Sequence, residues 1–384
     1  TDDGNIQVTK DGGANWTNTT ANLPESVPNY TWVYHIEASV HGEGTAYAVL
    51  EGHSTGDWNT YVFKTTDYGT TWTSIASDDI YGFARNIQED YVNEDLLFLG
   101  TEFGLYATIN GGKNWSQFTN NMPLTAVHFI DLQKQTNDLV MGTHGRGVII
   151  IDDISPLRAL NQKVLAEDVH FFENKPATMV EGSPFGGTAT EREFVGDNSI
   201  SDAKIIYYLK KRHTFGKMKM EIQDQEGNKL IDITPGKSRG INIVTWNGRI
   251  KPPKMAKGKS ITFGGFTSRR VPAGTYKVVM TKGRKSYESE VTLINDPKSL
   301  LTDADRKANL EATDKLYDMS QGLAYMVFEI DEIMAKAEEV SAQGGSKTAD
   351  VVMQELFALK ETLVTTTGDN YVDSQEPQLR GDNA

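Results

Sequence analysis

Three stretches of the chain place a threonine, an acid or amide, a glycine and a tryptophan at one spacing. They are Thr9, Asp11, Gly13 and Trp16; Thr65, Asp67, Gly69 and Trp72; and Thr108, Asn110, Gly112 and Trp115. The chemistry of this octapeptide is that of a turn. A short carboxylate or carboxamide accepts backbone N–H bonds within a tight loop. Glycine at the fifth position permits positive φ, and tryptophan supplies a large apolar anchor. Asp11, Asp67 and Asn110 are therefore read as structural, not catalytic.

Two other groups of residues carry chemistry. His144 and Arg146 sit in a glycine-rich Thr-His-Gly-Arg-Gly turn between two apolar runs, where they could line a polar pocket. The plainer reading is an ordinary turn whose arginine meets a carboxylate. Arg249, Lys251, Lys254, Lys257 and Lys259, followed by Arg269 and Arg270, form a candidate anion-binding loop. Its plainer reading is a solvated loop that offsets acidic neighbours. Nucleic acid is not expected, because no recognition helix or stacking platform accompanies the basic run.

Stepping from these residues to the elements that hold them, residues 1–150 alternate short apolar runs with glycine and polar punctuation. Residues 45–50, 61–64, 96–100 and 104–107 read as antiparallel strands. The three motifs recur at intervals of 56 and 43 residues, near the size of a four-stranded propeller blade. These motifs resemble Asp-boxes, the bacterial-neuraminidase repeats of sialidases, xyloglucanases and sortilin-like propellers. Residues 139–153 resemble the end of the propeller in a family of "glycosyl hydrolase, BNR repeat" proteins frequent in Bacteroidetes. The resemblance implies an exported protein: periplasmic, on the outer-membrane surface or secreted. It implies a fold strongly and a function weakly, since Asp-boxes sit on the outer hairpins of blades.

Some 150 residues hold about three blades, whereas closed propellers have roughly four to eight. Further blades are expected before Thr1, in the same polypeptide or on a separate chain, because three alone would leave two long sheet edges. The expected fold is thus mainly β: a partial Asp-box β-propeller over 1–153, a connector over 154–200, an Ig-like β-sandwich over 201–297 and an α-helical hairpin over 298–384. Residues 182–202 read as an exposed loop. Five or more short strands between 203 and 294 argue for the sandwich. Residues 242–248 and 271–278 resemble flagellar-hook-cap-type Ig domains, with Trp246 as a core anchor. Thr302 reads as a helix N-cap with acids in the first turn. Leu316, Leu323, Val327, Ile330, Met334 and Ala337, then Val352, Leu356, Leu359 and Leu363, mark two amphipathic helices. A third helix, or the sandwich, is expected to cover their remaining stripe.

Charge follows these divisions. The net charge of -14 divides into -12 over 1–150, -5 over 151–200, +13 over 201–300 and -10 over 301–384. The absence of cysteine excludes disulfides, a thiolate nucleophile and a cysteine zinc site. No apolar run is long enough for a spanning helix. The seven histidines show no metal spacing, and no cofactor is expected; a propeller turn could hold Ca²⁺, but none is singled out. Among the acids Asp57, Asp78, Asp79, Glu89, Asp90, Glu94, Asp95 and Glu102, none falls in a motif for a general acid or nucleophile. Residues 1–150 contain only two arginines, Arg85 and Arg146, too few for a sialidase cluster. The reading that follows is a non-catalytic scaffold binding glycan, an acidic protein surface or the remaining blades. A glycoside hydrolase, its site completed by those blades, is the alternative.

Overall fold

The computed structural model describes residues 2–180, 201–256, 268–344 and 347–364. The chain divides into two compact units, Thr1–Glu167 and Asp168–Ala384.

The first unit is built from antiparallel meanders. β1 (Gln7–Val8) and β2 (Thr17–Asn18) form a two-stranded sheet. β3 (Trp32–Ala38), β4 (Ala46–Glu51), β5 (Tyr61–Thr65) and β6 (Thr73–Ser74) form a four-stranded sheet in chain order. β7 (Ala84–Glu89), β8 (Leu97–Thr101), β9 (Gly104–Thr108) and β10 (Ser116–Gln117) repeat it. β11 (Ala126–Gln133), β12 (Asp138–His144) and β13 (Val148–Ile151) make a three-stranded sheet.

Cores lie between successive sheets. Tyr47, Val49 and Val62 of one sheet pack on Ile87, Leu97 and Leu99 of the next. Leu96, Phe98 and Leu105 then pack on Val127, Ile130 and Met141. A sheet covered on both faces needs apolar side chains on both, so β4 and β8 read as near-continuous apolar runs without alternation.

Each motif joins the last two strands of a sheet: β1 to β2, β5 to β6, β9 to β10. Asp67 Oδ1 accepts from Thr71 N–H at 2.8 Å and from Thr65 Oγ1 at 2.9 Å. Asp11 repeats these bonds with Asn15 and Thr9, and Asn110 with Asn114 and Thr108. These N–H donors hold the Asp11 carboxyl down at about 2, the Asn15 backbone foremost, and lower that of Asp67 as well.

The glycine matters for packing as well as φ. A Cβ on Gly69 would meet Thr19 Oγ1 at 2.8 Å, and one on Gly112 would meet Ile75 at 2.8 Å. Thr19 and Ile75 each follow the tryptophan of the preceding motif by three residues, so each box sits on the one before it. Trp72 and Trp115 are 7% and 4% exposed, whereas Trp16 is 58% exposed.

Residues 154–200, expected as a connector, contribute to both units. α1 (Ser155–Ala159) and α2 (Gln162–Ala166) end the first. Arg158 of α1 grips the buried carboxylate of Asp90, with Nη2 2.7 Å from Oδ1. β14 (Val169–Phe171) and β15 (Ala177–Met179) already belong to the second unit. The loop expected over 182–202 falls almost wholly outside the described residues.

In the second unit, β14 pairs with β16 (Ala203–Leu209), which pairs with β19 (Gly240–Trp246). β15 lies parallel to β21 (Lys285–Asn295). That sheet continues through β20 (Gly274–Lys282), β17 (Met218–Gln223) and β18 (Lys229–Ile233). The two sheets share one core, in which Ile205, Tyr207 and Trp246 meet Met220, Val278 and Val291. Trp246 also donates to Arg249 O at 2.9 Å, which satisfies its buried N–H.

α3 (Asp303–Ala342) opens with a capping box: Asp305 N–H donates to Thr302 Oγ1, and Thr302 N–H to Asp305 Oδ2. α4 (Lys347–Leu363) contacts it, and Lys360 Nζ lies 2.5 Å from Asp331 Oδ1. Leu323, Val327 and Ile330 of the expected stripe are buried, while Leu316 and Leu359 are exposed. Tyr317 of α3 packs on this two-sheet core.

Candidate functional site

The first strand of each of the three larger sheets of the first unit carries one residue too many. The β3–β4 register shifts between Val33 and His35, β7–β8 between Ala84 and Asn86, and β11–β12 between Val127 and Phe129. The extra residues are Tyr34, Arg85 and His128. A bulge breaks the alternation of a strand and re-aims one side chain. Three bulges at one position of the repeat gather an aromatic, a guanidinium and an imidazole.

In this bulge row Tyr34 and Arg85 are in contact, and the charge of Arg85 reaches His128. The Arg85 guanidinium lies 5.1 Å from the centre of the Tyr34 ring and 4.8 Å from that of Phe83. His128 stacks on His144 with centroids 5.5 Å apart. Burial, then the positive charge of Arg85, lowers the His128 pKa, and Glu102 acts in the opposite direction.

Two carboxylates close on Arg85 from different sheets. Nη1 is 2.9 Å from Glu51 Oε2 at the end of β4, and Nη2 is 3.1 Å from Glu102 Oε2 just after β8. His53 Nδ1 meets the other Glu51 oxygen, and its ring stacks on Phe83 at 4.8 Å. Trp58 meets the same phenyl edge-on at 5.5 Å, and Tyr81 lies 4.8 Å from Phe103. Tyr34, Trp58 and Tyr81 all expose their rings. Exposed aromatic faces beside hydrogen-bonding groups suit a ligand with both C–H faces and hydroxyls, such as a sugar.

His144 thus belongs to this row, next to His128. Arg146 lies exposed in the β12–β13 turn, where Gly145 and Gly147 adopt φ of +87° and +66°. Of the acids named from the sequence, Glu102 alone bonds Arg85. Glu89 is buried and accepts from Tyr47 OH at 2.9 Å, which with burial raises the Tyr47 pKa. Asp90 is taken by Arg158, and Asp57 accepts from Tyr61 OH at 2.8 Å. Glu51, Tyr34 and His128 escaped the sequence reading. The bulged strands share the pattern Val/Ala-x-x-Ile at Val33, Ala84 and Val127, in which the second residue is the bulged one; Glu51 lies outside it.

Four described members of the basic loop have partners within the second unit. Arg249 Nη1 donates to Ser268 O, and Arg270 Nη1 to Val180 O at 2.8 Å. Arg269 pairs with Asp314 of α3, and the Lys254 ammonium lies 5.0 Å over the Tyr325 ring. Lys251 is exposed; Lys257 and Lys259 lie outside the described residues. Among the described residues no group of three or more His, Asp or Glu side chains is placed to hold a metal ion. No helix among them is long and apolar enough to cross a membrane.

No protein-family model and no curated protein matches the sequence. Solved structures give distant likenesses. "YCF48 bound to D1 peptide" aligns at 14% identity over 61% of this chain and 63% of that one, with a TM-score of 0.28. A GH74 xyloglucanase from Xanthomonas campestris aligns at 12% over 77% of this chain and 43% of that one, TM-score 0.35. A GH74 enzyme from Niastella koreensis aligns at 14% over 76% and 43%, TM-score 0.34. The chain therefore spans less than two thirds of the length of each.

Proposed function

We propose that this chain is a non-catalytic, exported scaffold that binds a glycan or protein partner at the bulge row. In this reading the meanders of the first unit are blades of an Asp-box β-propeller. The paired sheets of the second unit are an Ig-like sandwich, followed by the helical hairpin. The observation that carries the binding reading is the convergence of Tyr34, Arg85 and His128 from three equivalent bulges. A ligand crossing the row would meet one side chain from each sheet. Trp58 and Tyr81 would flank it with exposed rings.

The alternative, glycoside hydrolysis, asks for two carboxyl groups on opposite sides of a bond. Glu51 and Glu102 are the carboxylates bonded to Arg85, and both direct an oxygen at that one guanidinium. That arrangement favours a fixed floor organised around Arg85 over an acid and nucleophile pair. The basic segment is assigned a role in shaping the second unit, since Arg249, Arg269 and Arg270 already have protein partners.

The test is a glycan array followed by calorimetry on the full chain. Tyr34→Ala and Trp58→Ala are expected to weaken a captured glycan about tenfold or more, with the melting temperature unchanged. Capture that survives both substitutions would refute the site. Turnover of the glycan, abolished by Glu102→Gln, would install the hydrolase reading instead.

A further inference from the structure

The repeat allows each position of one sheet to be compared with the same position of the next. Counted from the bulge, Ile36, Ile87 and Ile130 are equivalent. Ile87 and Ile130 are 0% and 1% exposed, whereas Ile36 is 44% exposed. Ile87 is covered by Tyr47, Val49 and Val62 of the preceding sheet, and Ile130 by Leu96, Phe98 and Leu105 of its own. The sheet before Ile36 is the pair β1–β2. It flanks the first motif as β5–β6 and β9–β10 flank theirs, so it corresponds to the outer half of a four-stranded sheet. Among the described residues no strands stand in for the inner half.

A groove of about 890 Å³ occupies that place, lined by Ile6, Val8, Val33, Ile36 and Trp72. Its wall carries an open edge. Thr19 N–H donates to Ile6 O at 2.9 Å, so Ile6 and Val8 face β2. The alternation of an antiparallel ladder then leaves the N–H and C=O of Gln7 facing away from it. The corresponding edges of β5 and β9 are paired with β4 and β8. An unpaired edge beside an exposed apolar face is what an added strand completes.

We infer that this groove is a docking slot for two antiparallel apolar strands, the second pairing with Gln7. The occupant is polypeptide that runs into β1, because strands in both complete meanders follow chain order from first to fourth. This rests on the propeller reading of the first unit, and the groove borders the bulge row at Tyr34.

The internal equivalent of the occupant is residues 30–59, which hold β3, β4 and the connection to the next strand. A second copy fused ahead of Asp2 in the full chain is the first probe. Hydrogen exchange at the Gln7 amide is expected to slow about tenfold or more. The melting temperature is expected to rise by about 4 °C. Ile36→Asp, in the original copy, is expected to cancel both changes. The second probe is a synthetic peptide of residues 30–52 added to the unfused chain. It is expected to bind one to one, about tenfold more weakly to Gln7→Pro, which removes the edge donor and leaves the β1–β2 ladder intact. Unchanged exchange and melting in the fusion, together with no binding of the peptide, would overturn the proposal. So would an unfused chain that is dimeric by light scattering and protected at Gln7, since the occupant would then be a second copy. Glycan capture is measured on the unfused chain without peptide, so that failure of the binding site and failure of the slot are read apart.

Discussion

Arg85 Nη1 stands 2.9 Å from Oε2 of Glu51, whose side chain has no exposure to solvent. The two residues come from adjacent sheets, so this contact joins sheet to sheet as well as flooring the bulge row. Removing the guanidinium leaves a buried carboxylate short of its main counter-charge. Breaking a buried pair in this way costs about 3–5 kcal/mol. Arg85→Met is expected to destabilise by about that much in urea titration, with an unchanged m-value. Glu102→Gln, at a carboxylate one-third exposed, is expected to cost less than about 1 kcal/mol. Equal losses from the two would mean that Arg85 does not serve Glu51 in particular.

His128 reports on the same arginine. Its folded pKa lies below the ordinary 6.5, through burial first and Arg85 second. A histidine with a depressed folded pKa binds its proton more readily when unfolded. Its contribution to stability is therefore present above about 6.5 and is lost as pH falls through the folded value. Arg85→Met removes one of the lowering causes and leaves burial and His144. The His128 ring resonances, followed by NMR against pH, are expected to titrate higher in the variant than in the parent, yet still below 6.5. No movement would place Arg85 too far from His128 for the row described above.

The three turn motifs predict a difference between two substitutions at one position. Asp67 acts through an acceptor oxygen on Thr71 N–H, and Asn110 does the same work in the third box without a charge. Asp67→Asn is expected to keep the turn and melt within about 2 °C of the parent, while Asp67→Ala falls by about 4 °C or more. Acid sharpens the contrast. A carboxyl with a lowered pKa stabilises fully above its unfolded value near 3.8, and that stability is lost as pH falls through the folded value, about 2 for Asp11. Melting curves between pH 4 and 2 are expected to fall less steeply for Asp67→Asn than for the parent. A parallel fall would show that the lowered pKa of Asp67 plays no part in holding the box.

The boxes were legible because their chemistry is local. Thr65, Asp67, Gly69 and Trp72 make their turn within eight residues, and the spacing survives in the sequence. The bulges were not legible, because a bulge is a mismatch between two strands. Tyr34 is extra only relative to β4, and Arg85 only relative to β8. Their shared Val/Ala-x-x-Ile pattern marks the strand but carries no sign of the register shift. Glu51 was hidden for a related reason: its value lies in an arginine from the next sheet, 34 residues away. The helical stripe was read correctly in period. Its exposure at Leu316 and Leu359 depends on what packs above it, which periodicity does not encode.

Trp16, Trp72 and Trp115 share one motif position and differ in surroundings, which makes them an internal control on the repeat. Trp115 is buried between two sheets and donates to Ile75 O at 2.7 Å. Truncating it removes a large side chain from a core and also leaves a buried carbonyl without its donor. Trp115→Ala is expected to cost about 3–5 kcal/mol in urea titration. Trp115→Phe retains most of the apolar contact and loses the hydrogen bond, for about 1 kcal/mol plus the volume change. Trp16 donates only to Gly13 O within its own turn and stands mostly in solvent. Trp16→Ala is therefore expected to cost less than about 1 kcal/mol in this chain. If Trp16→Ala proves as damaging as Trp115→Ala, the first box is covered in solution by something, and the comparison between repeats that exposes Ile36 fails with it. If the order holds, the cost of losing this tryptophan measures whether a preceding sheet is present. The same substitution then reads the arrival of any segment that packs against the first box.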